Sequence, residues 1–141
     1  MTVGARLRKG CVCRYHSEMN DQQTTVAELS AVMREFVRKR RWEEFHTPKN
    51  LAISLAIESA EVMELFQWLT PEQSAETAAD AAKRQEVADE LSDVLAYLLS
   101  LANVMQIDLA AAFESKMRRV RIKYPAPSEE PPPEELDSQE S

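Results

Sequence analysis

Glycine is nearly absent. The chain has 141 residues and two glycines, Gly4 and Gly10, so no glycine occurs from Cys11 to Ser141. A β-rich fold of this size needs several turns with φ > 0, which glycine supplies most easily. Glycine-rich phosphate loops and dinucleotide fingerprints are excluded outright. Only Pro48 and Pro71 interrupt the stretch from Cys11 to Tyr124, because the other five prolines fall between Pro125 and Pro133. Such a stretch reads as long helices with short connections, an all-α fold.

Hydrophobic residues make up 44% and aromatics only 6%. The core expected is therefore one of Leu, Ala, Val, Ile and Met, as in a helical bundle. No run reaches the roughly 18 apolar residues of a membrane span. The start lacks an apolar signal region, so a cytoplasmic setting is expected and no membrane association. Cys11 and Cys13 are too close for an easy disulfide, and no second pair completes a zinc site. A net charge of −7 argues against binding a nucleic acid polymer.

Composition divides the chain into three. Residues 1–23 begin with a basic, aperiodic segment (Arg6, Arg8, Lys9, Arg14) and read as a flexible extension, and Met19 is an alternative start. Residues 125–141 hold five prolines and six acids and read as a disordered tail. Residues 24–124 form the expected helical domain.

Four helices fit that domain. Thr25-Val-Ala-Glu28 is a capping-box pattern that opens the first, which runs to about Arg41. Thr47-Pro48 opens the second, expected to continue to about Leu69. Thr70-Pro71 repeats the start signal before an Ala-rich connection with a short helical turn. The third covers about Ala82 to Met105, and Asp108 caps the fourth, from Leu109 to about Lys123.

The acids sit in unexpected places. On a wheel of about 100° per residue, Leu51, Leu55, Val62, Leu65 and Leu69 lie within about 60° of Glu58. Glu58 is thus centred in the apolar stripe. Glu61 lies about 60° to one side, beside Trp68. In the third helix Glu86, Glu90, Asp93 and Tyr97 form one narrow stripe, flanked by an apolar stripe of Val87, Leu91, Val94, Leu98 and Leu101. Two antiparallel helices would set Glu58 and Glu61 against Glu90 and Asp93. A buried carboxylate needs a partner. Two accounts are open: a hard divalent ion, Mg²⁺ first and Mn²⁺ second, or a solvated acidic face with Glu58 paired to a lysine or arginine. A di-iron bundle requires two Glu-x-x-His pairs, and neither His16 nor His46 supplies one.

Glu58-x-x-Glu61, then 28 residues, then Glu90-x-x-Asp93 resembles the ExxE…ExxD signature of the all-α nucleoside triphosphate pyrophosphohydrolases, the MazG-like group. The resemblance runs from about Val26 to Pro125. The run from Arg41 to Leu51, Glu64-Leu65-Phe66-Gln67-Trp68, the run from Glu90 to Leu98, Ser115-Lys116-Met117 and Lys123-Tyr124-Pro125 are similar to the dCTP pyrophosphatase branch.

The resemblance implies a four-helix bundle completed by oligomerisation, as a dimer or a tetramer built from two dimers. It implies Mg²⁺ held by Glu58, Glu61, Glu90 and Asp93. Glu61, or else Glu58, would serve catalysis. Trp42 and Trp68 would flank the base, with Phe45, His46 and Tyr97 lining the nucleoside pocket and Lys116 and Tyr124 near the phosphates. The expected reaction splits a (deoxy)nucleoside triphosphate, dCTP or a modified dCTP, into monophosphate and pyrophosphate, a sanitation of the nucleotide pool. Met33 stands where the branch often has a histidine, which leaves base preference open. The alternatives from the residues themselves are a non-catalytic acidic interaction module and a phosphohydrolase that releases single phosphates.

Overall fold

The computed structural model describes residues 19–126; residues 1–18 and 127–141 of the expected tails, with Cys11, Cys13 and His16, lie outside them. The described residues form helices and turns without a strand. The helices are α1 (Val26–Arg40), α2 (Pro48–Glu64), α3 (Pro71–Glu76), α4 (Ala81–Met105) and α5 (Leu109–Lys123). A 3₁₀ turn over Thr77–Ala79 joins α3 to α4.

Side-chain caps set the starts. The Thr25 hydroxyl accepts from the Glu28 N–H, and the Glu28 carboxylate accepts from the Thr25 N–H at 2.9 Å. Thr70 and Gln73 repeat that reciprocal arrangement at α3. Thr47 caps α2, Asp80 caps α4 and Asp108 caps α5. Each cap satisfies amide donors that the first turn leaves without a helical acceptor. The two open C-termini are unusual: Arg41 (φ 56°) and Gln106 (φ 54°) both take the left-handed conformation that glycine normally occupies.

One boundary departs from the sequence expectation. α2 stops at Glu64 rather than near Leu69, and residues 65–69 form tight turns, with the Gln67 N–H and the Phe66 N–H both donating to the Met63 carbonyl. Proline disfavours helical geometry in the residue before it, and Thr70 is extended (ψ 163°) as the cap of α3, so the chain cannot run on as one helix through Thr70.

α4 is the centre of the packing: α2 and α1 lie against it, and the 3₁₀ turn contacts its start. Asn103 ties α1 to α4, donating to the Ser30 carbonyl at 3.0 Å and accepting from Arg34 at 2.6 Å. α5 leaves α4 at 99° and forms no comparable packing with another helix. The buried apolar residues among those described are Leu51, Leu99 and Ala102. On α4 the expected apolar stripe is turned outward in part: Leu91 and Leu98 are exposed, whereas Leu99 and Ala102 are buried and Glu90 and Tyr97 are half-buried. α4 is apolar on two sides, and α2 and α1 cover only one of them. No single described helix is long and apolar enough to cross a membrane.

Candidate metal centre

α2 and α4 pack side by side, and their acids meet. Glu58 from α2 and Glu90 and Asp93 from α4 each offer a carboxylate oxygen, and these oxygens lie within 4.8 Å of one another. Glu58 and Glu90 are half-buried, and Asp93 is exposed. The half-buried face of α2 also carries Leu55 and Val62, with Leu65 half-buried just past its end, so Glu58 does lie within the apolar stripe. The i, i+3 spacing of Glu90 and Asp93 presents both from one face of α4.

Glu61 is the fourth member. It is exposed, one turn beyond Glu58, and near enough for its charge to act on both Glu58 and Glu90. Burial first, then the charges of Glu61 and Asp93, push the Glu58 carboxyl above the usual range. Glu90 is pushed up by burial, then by Glu61, Asp93 and Glu58. Like charges at this separation favour sharing protons or binding a cation. No lysine or arginine is paired with these acids among the ion pairs of the described residues.

One oxygen is left over. Glu90 Oε2 is buried and has no hydrogen-bond partner. A buried carboxylate oxygen without a partner, on a residue that converges with two other carboxylates, fits a cation. The donor set, all oxygen and anionic, suits a hard divalent ion. The residues present thus fit a metal.

The remaining expected site residues divide into three groups. Tyr97 follows Asp93 by one turn on α4 and is half-buried. Trp42, Phe45 and His46 cluster in the connection between α1 and α2. The Trp42 and His46 rings stack at 6.4 Å and 19°, and His46 Nδ1 is 2.9 Å from the Trp42 carbonyl oxygen. A carbonyl only accepts, so Nδ1 carries the proton. Asn50 donates to the Phe45 carbonyl at 3.0 Å and holds that loop to the start of α2. Beside His46, a cavity of about 200 Å³ is lined by Met33, Val37, Val104, Ser100 and Asn103.

Trp68 is not beside Glu61 on a helix, as the wheel had it. The early end of α2 places it in the following turn, where it is 86% exposed. Lys116 and Tyr124 lie on α5 and at its end, both exposed, and no described contact joins them to the carboxylates. Sequence reasoning passed over Phe36 and Arg40, which pack beneath Trp42. Their i, i+4 spacing just ahead of a tryptophan was the available signal.

A family model described as the MazG-like family matches residues 53–132. Human dCTP pyrophosphatase 1 is 39% identical over 104 residues, which cover 74% of this chain and 61% of that protein. The rat protein of the same name is 39% identical over 103 residues, again 61% of its length. A crystal structure of a pyrophosphatase from Archaeoglobus fulgidus superposes with a TM-score of 0.66 at 38% identity, covering 77% of this chain and all of that one. The match of the family model over more than half of the sequence, on the two helices that bring the carboxylates together, shows that this chain belongs to the MazG-like family.

Proposed function

We propose that this chain is a Mg²⁺-dependent nucleoside triphosphate pyrophosphohydrolase acting on dCTP or a modified dCTP. The observation that carries the reading is the convergence of Glu58, Glu90 and Asp93, with one buried Glu90 oxygen lacking a partner. The names of the relatives, dCTP pyrophosphatase 1 and pyrophosphatase, support the substrate and the reaction.

Glu58, Glu90 and Asp93 would hold Mg²⁺, or Mn²⁺ in its place. When bound, the ion supplies positive charge that draws the triphosphate to an acidic surface and offsets charge developing between the α and β phosphates. Glu61 stands at the exposed edge of the cluster, the position from which a carboxylate takes a proton from water. That water attacks phosphorus in line, the α–β anhydride bond breaks, and monophosphate and pyrophosphate leave. Trp42 and Trp68 offer flat faces to the base, and stacking tolerates any base. Phe45, His46 and Tyr97 line the nucleoside side.

The working form on this reading is a dimer or a pair of dimers. Among the described residues Ile53, Ile57, Leu91, Leu95, Phe113 and Ile122 are large apolar side chains left exposed, more than a soluble monomer ordinarily shows. Lys116 and Tyr124, on α5 and at its end, would meet the phosphates. The proposed setting is the cytoplasm.

The test is one panel. The purified protein is incubated with each nucleoside and deoxynucleoside triphosphate, with Mg²⁺ and with EDTA, and pyrophosphate is separated from phosphate. Pyrophosphate release from dCTP or its 5-substituted forms, abolished by EDTA, is expected. Release of single phosphates would favour the phosphohydrolase alternative. No release from any nucleotide at millimolar levels would leave the acidic interaction module standing.

A further inference from the structure

The last turn of α1 carries three cations, Arg38, Lys39 and Arg40. Arg38 and Lys39 both pair with Glu35, at 2.9 and 3.3 Å. Arg40 is used differently. Its guanidinium carbon lies 3.5 Å from the centre of the Phe36 ring, and its Nη1 donates to the Phe36 carbonyl at 3.3 Å. The same group is 5.8 Å from the centre of the Trp42 ring. Phe36 and Trp42 meet edge to face at 5.9 Å and 72°. Beyond Trp42 lies His46, stacked and bonded to the Trp42 carbonyl.

Four side chains therefore form one continuous pile: Arg40, Phe36, Trp42, His46. The left-handed Arg41 makes it possible, by turning the chain back until the Trp42 N–H reaches the Val37 carbonyl at 3.2 Å. Packing alone does not fix the indole, since Trp42 remains 43% exposed. A guanidinium is flat and weakly hydrated, and it adheres to aromatic faces in a way that an ammonium does not.

We propose that Arg40 is a positioning residue: its guanidinium pins Phe36 against Trp42 and holds the Trp42–His46 pair in the orientation that receives a nucleobase. The proposal rests on the reading of Trp42 and His46 as the nucleoside platform, and Arg40 itself touches no substrate.

The full chain has two tryptophans, so two indole N–H signals are available, and Trp42→Phe assigns them. Arg40→Met should displace the Trp42 signal and leave that of Trp68 in place. The KM for dCTP should rise about two- to fivefold, the range of an exposed cation–π contact, with kcat little altered. Arg40→Lys, which keeps the charge and loses the flat group, should recover only part of the loss. An unmoved Trp42 signal alongside normal dCTP turnover overturns the stack and leaves the nucleotide reading intact. Displacement of both signals with a fall in melting temperature, or an equal fall in kcat, also overturns it, since that is general loosening. A wild-type protein that cleaves no dCTP, with the Trp42 signal still displaced in Arg40→Met, overturns the nucleotide reading and not the stack.

Discussion

Glu58 shows how a single side chain can work against its own fold. Its carboxylate lies on the half-buried face of α2, opposed by Glu90 and Asp93. Removing the charge while keeping the shape should relieve that repulsion. Glu58→Gln is expected to raise the metal-free melting temperature and to lower pyrophosphate release at least about 100-fold. Scanning fluorimetry in EDTA beside a turnover assay checks both, and a variant that loses stability without metal contradicts the account. The same acids predict a pH dependence. Glu58 and Glu90 ionise above the ordinary value of 4.5 in the folded chain. Between 4.5 and their raised values the folded state holds more protons than the unfolded one, so stability falls as pH rises. Below 4.5 their contribution is at its most favourable. In EDTA the melting temperature should therefore drop from pH 4.5 upward, and Mg²⁺ should flatten that slope. The position of Glu58 was legible from helical periodicity alone. The separate standing of Glu61, exposed beside three converging oxygens, was not, because a wheel carries no information on distance across two helices.

Elements were legible where the signal was local. Thr25 with Glu28, Thr47-Pro48, Thr70-Pro71 and Asp108 each mark a helix start that the structure contains. The end of α2 was missed because the apolar pattern of Leu65 and Leu69 continues after the regular helix has given way to turns. Periodicity reports burial, and a turn can bury the same side chains. The outward turn of Leu91 and Leu98 was missed for another reason: a helix with two apolar faces leaves the choice to its neighbours. The C-termini give a prediction of their own. A left-handed residue other than glycine costs roughly 1–2 kcal/mol, and glycine at the same site loses part of that gain through its freer unfolded chain. Gln106→Gly should accordingly raise the melting temperature by a few degrees, since neither ring nor ion pair depends on Gln106. Arg41→Gly adjoins the Trp42 pile and serves as the comparison. A lower melting temperature for Gln106→Gly would mean that its side chain is worth more than the strain.

The whole molecule is held by little of its own. Among the described residues Leu51, Leu99 and Ala102 are the buried apolar ones, and a fully buried Leu contributes only about 1.5–3 kcal/mol. α5 adds no packing comparable to that of α2 on α4. If partner chains complete the core, as proposed, the melting temperature must rise with protein concentration. Leu91→Asp or Phe113→Asp should then lower the mass seen by light scattering and the melting temperature together. A wild-type mass of a single chain with a concentration-independent melting temperature would refute the assembly. Composition foretold an all-helical molecule, but which apolar faces stay exposed depends on how the helices meet, where helical periodicity is silent. A core this small also has a consequence in time. Helices joined by short connections form from local contacts within microseconds to milliseconds, whereas the meeting of two chains waits on their collision. If the chains assemble into the enzyme proposed above, then after dilution from denaturant helical signal should return at a rate independent of concentration, and turnover should return later, at a rate proportional to it. An enzyme built this way would exist first as a population of half-made parts, and its abundance in a cell would set how quickly it begins to work as well as how much work it does.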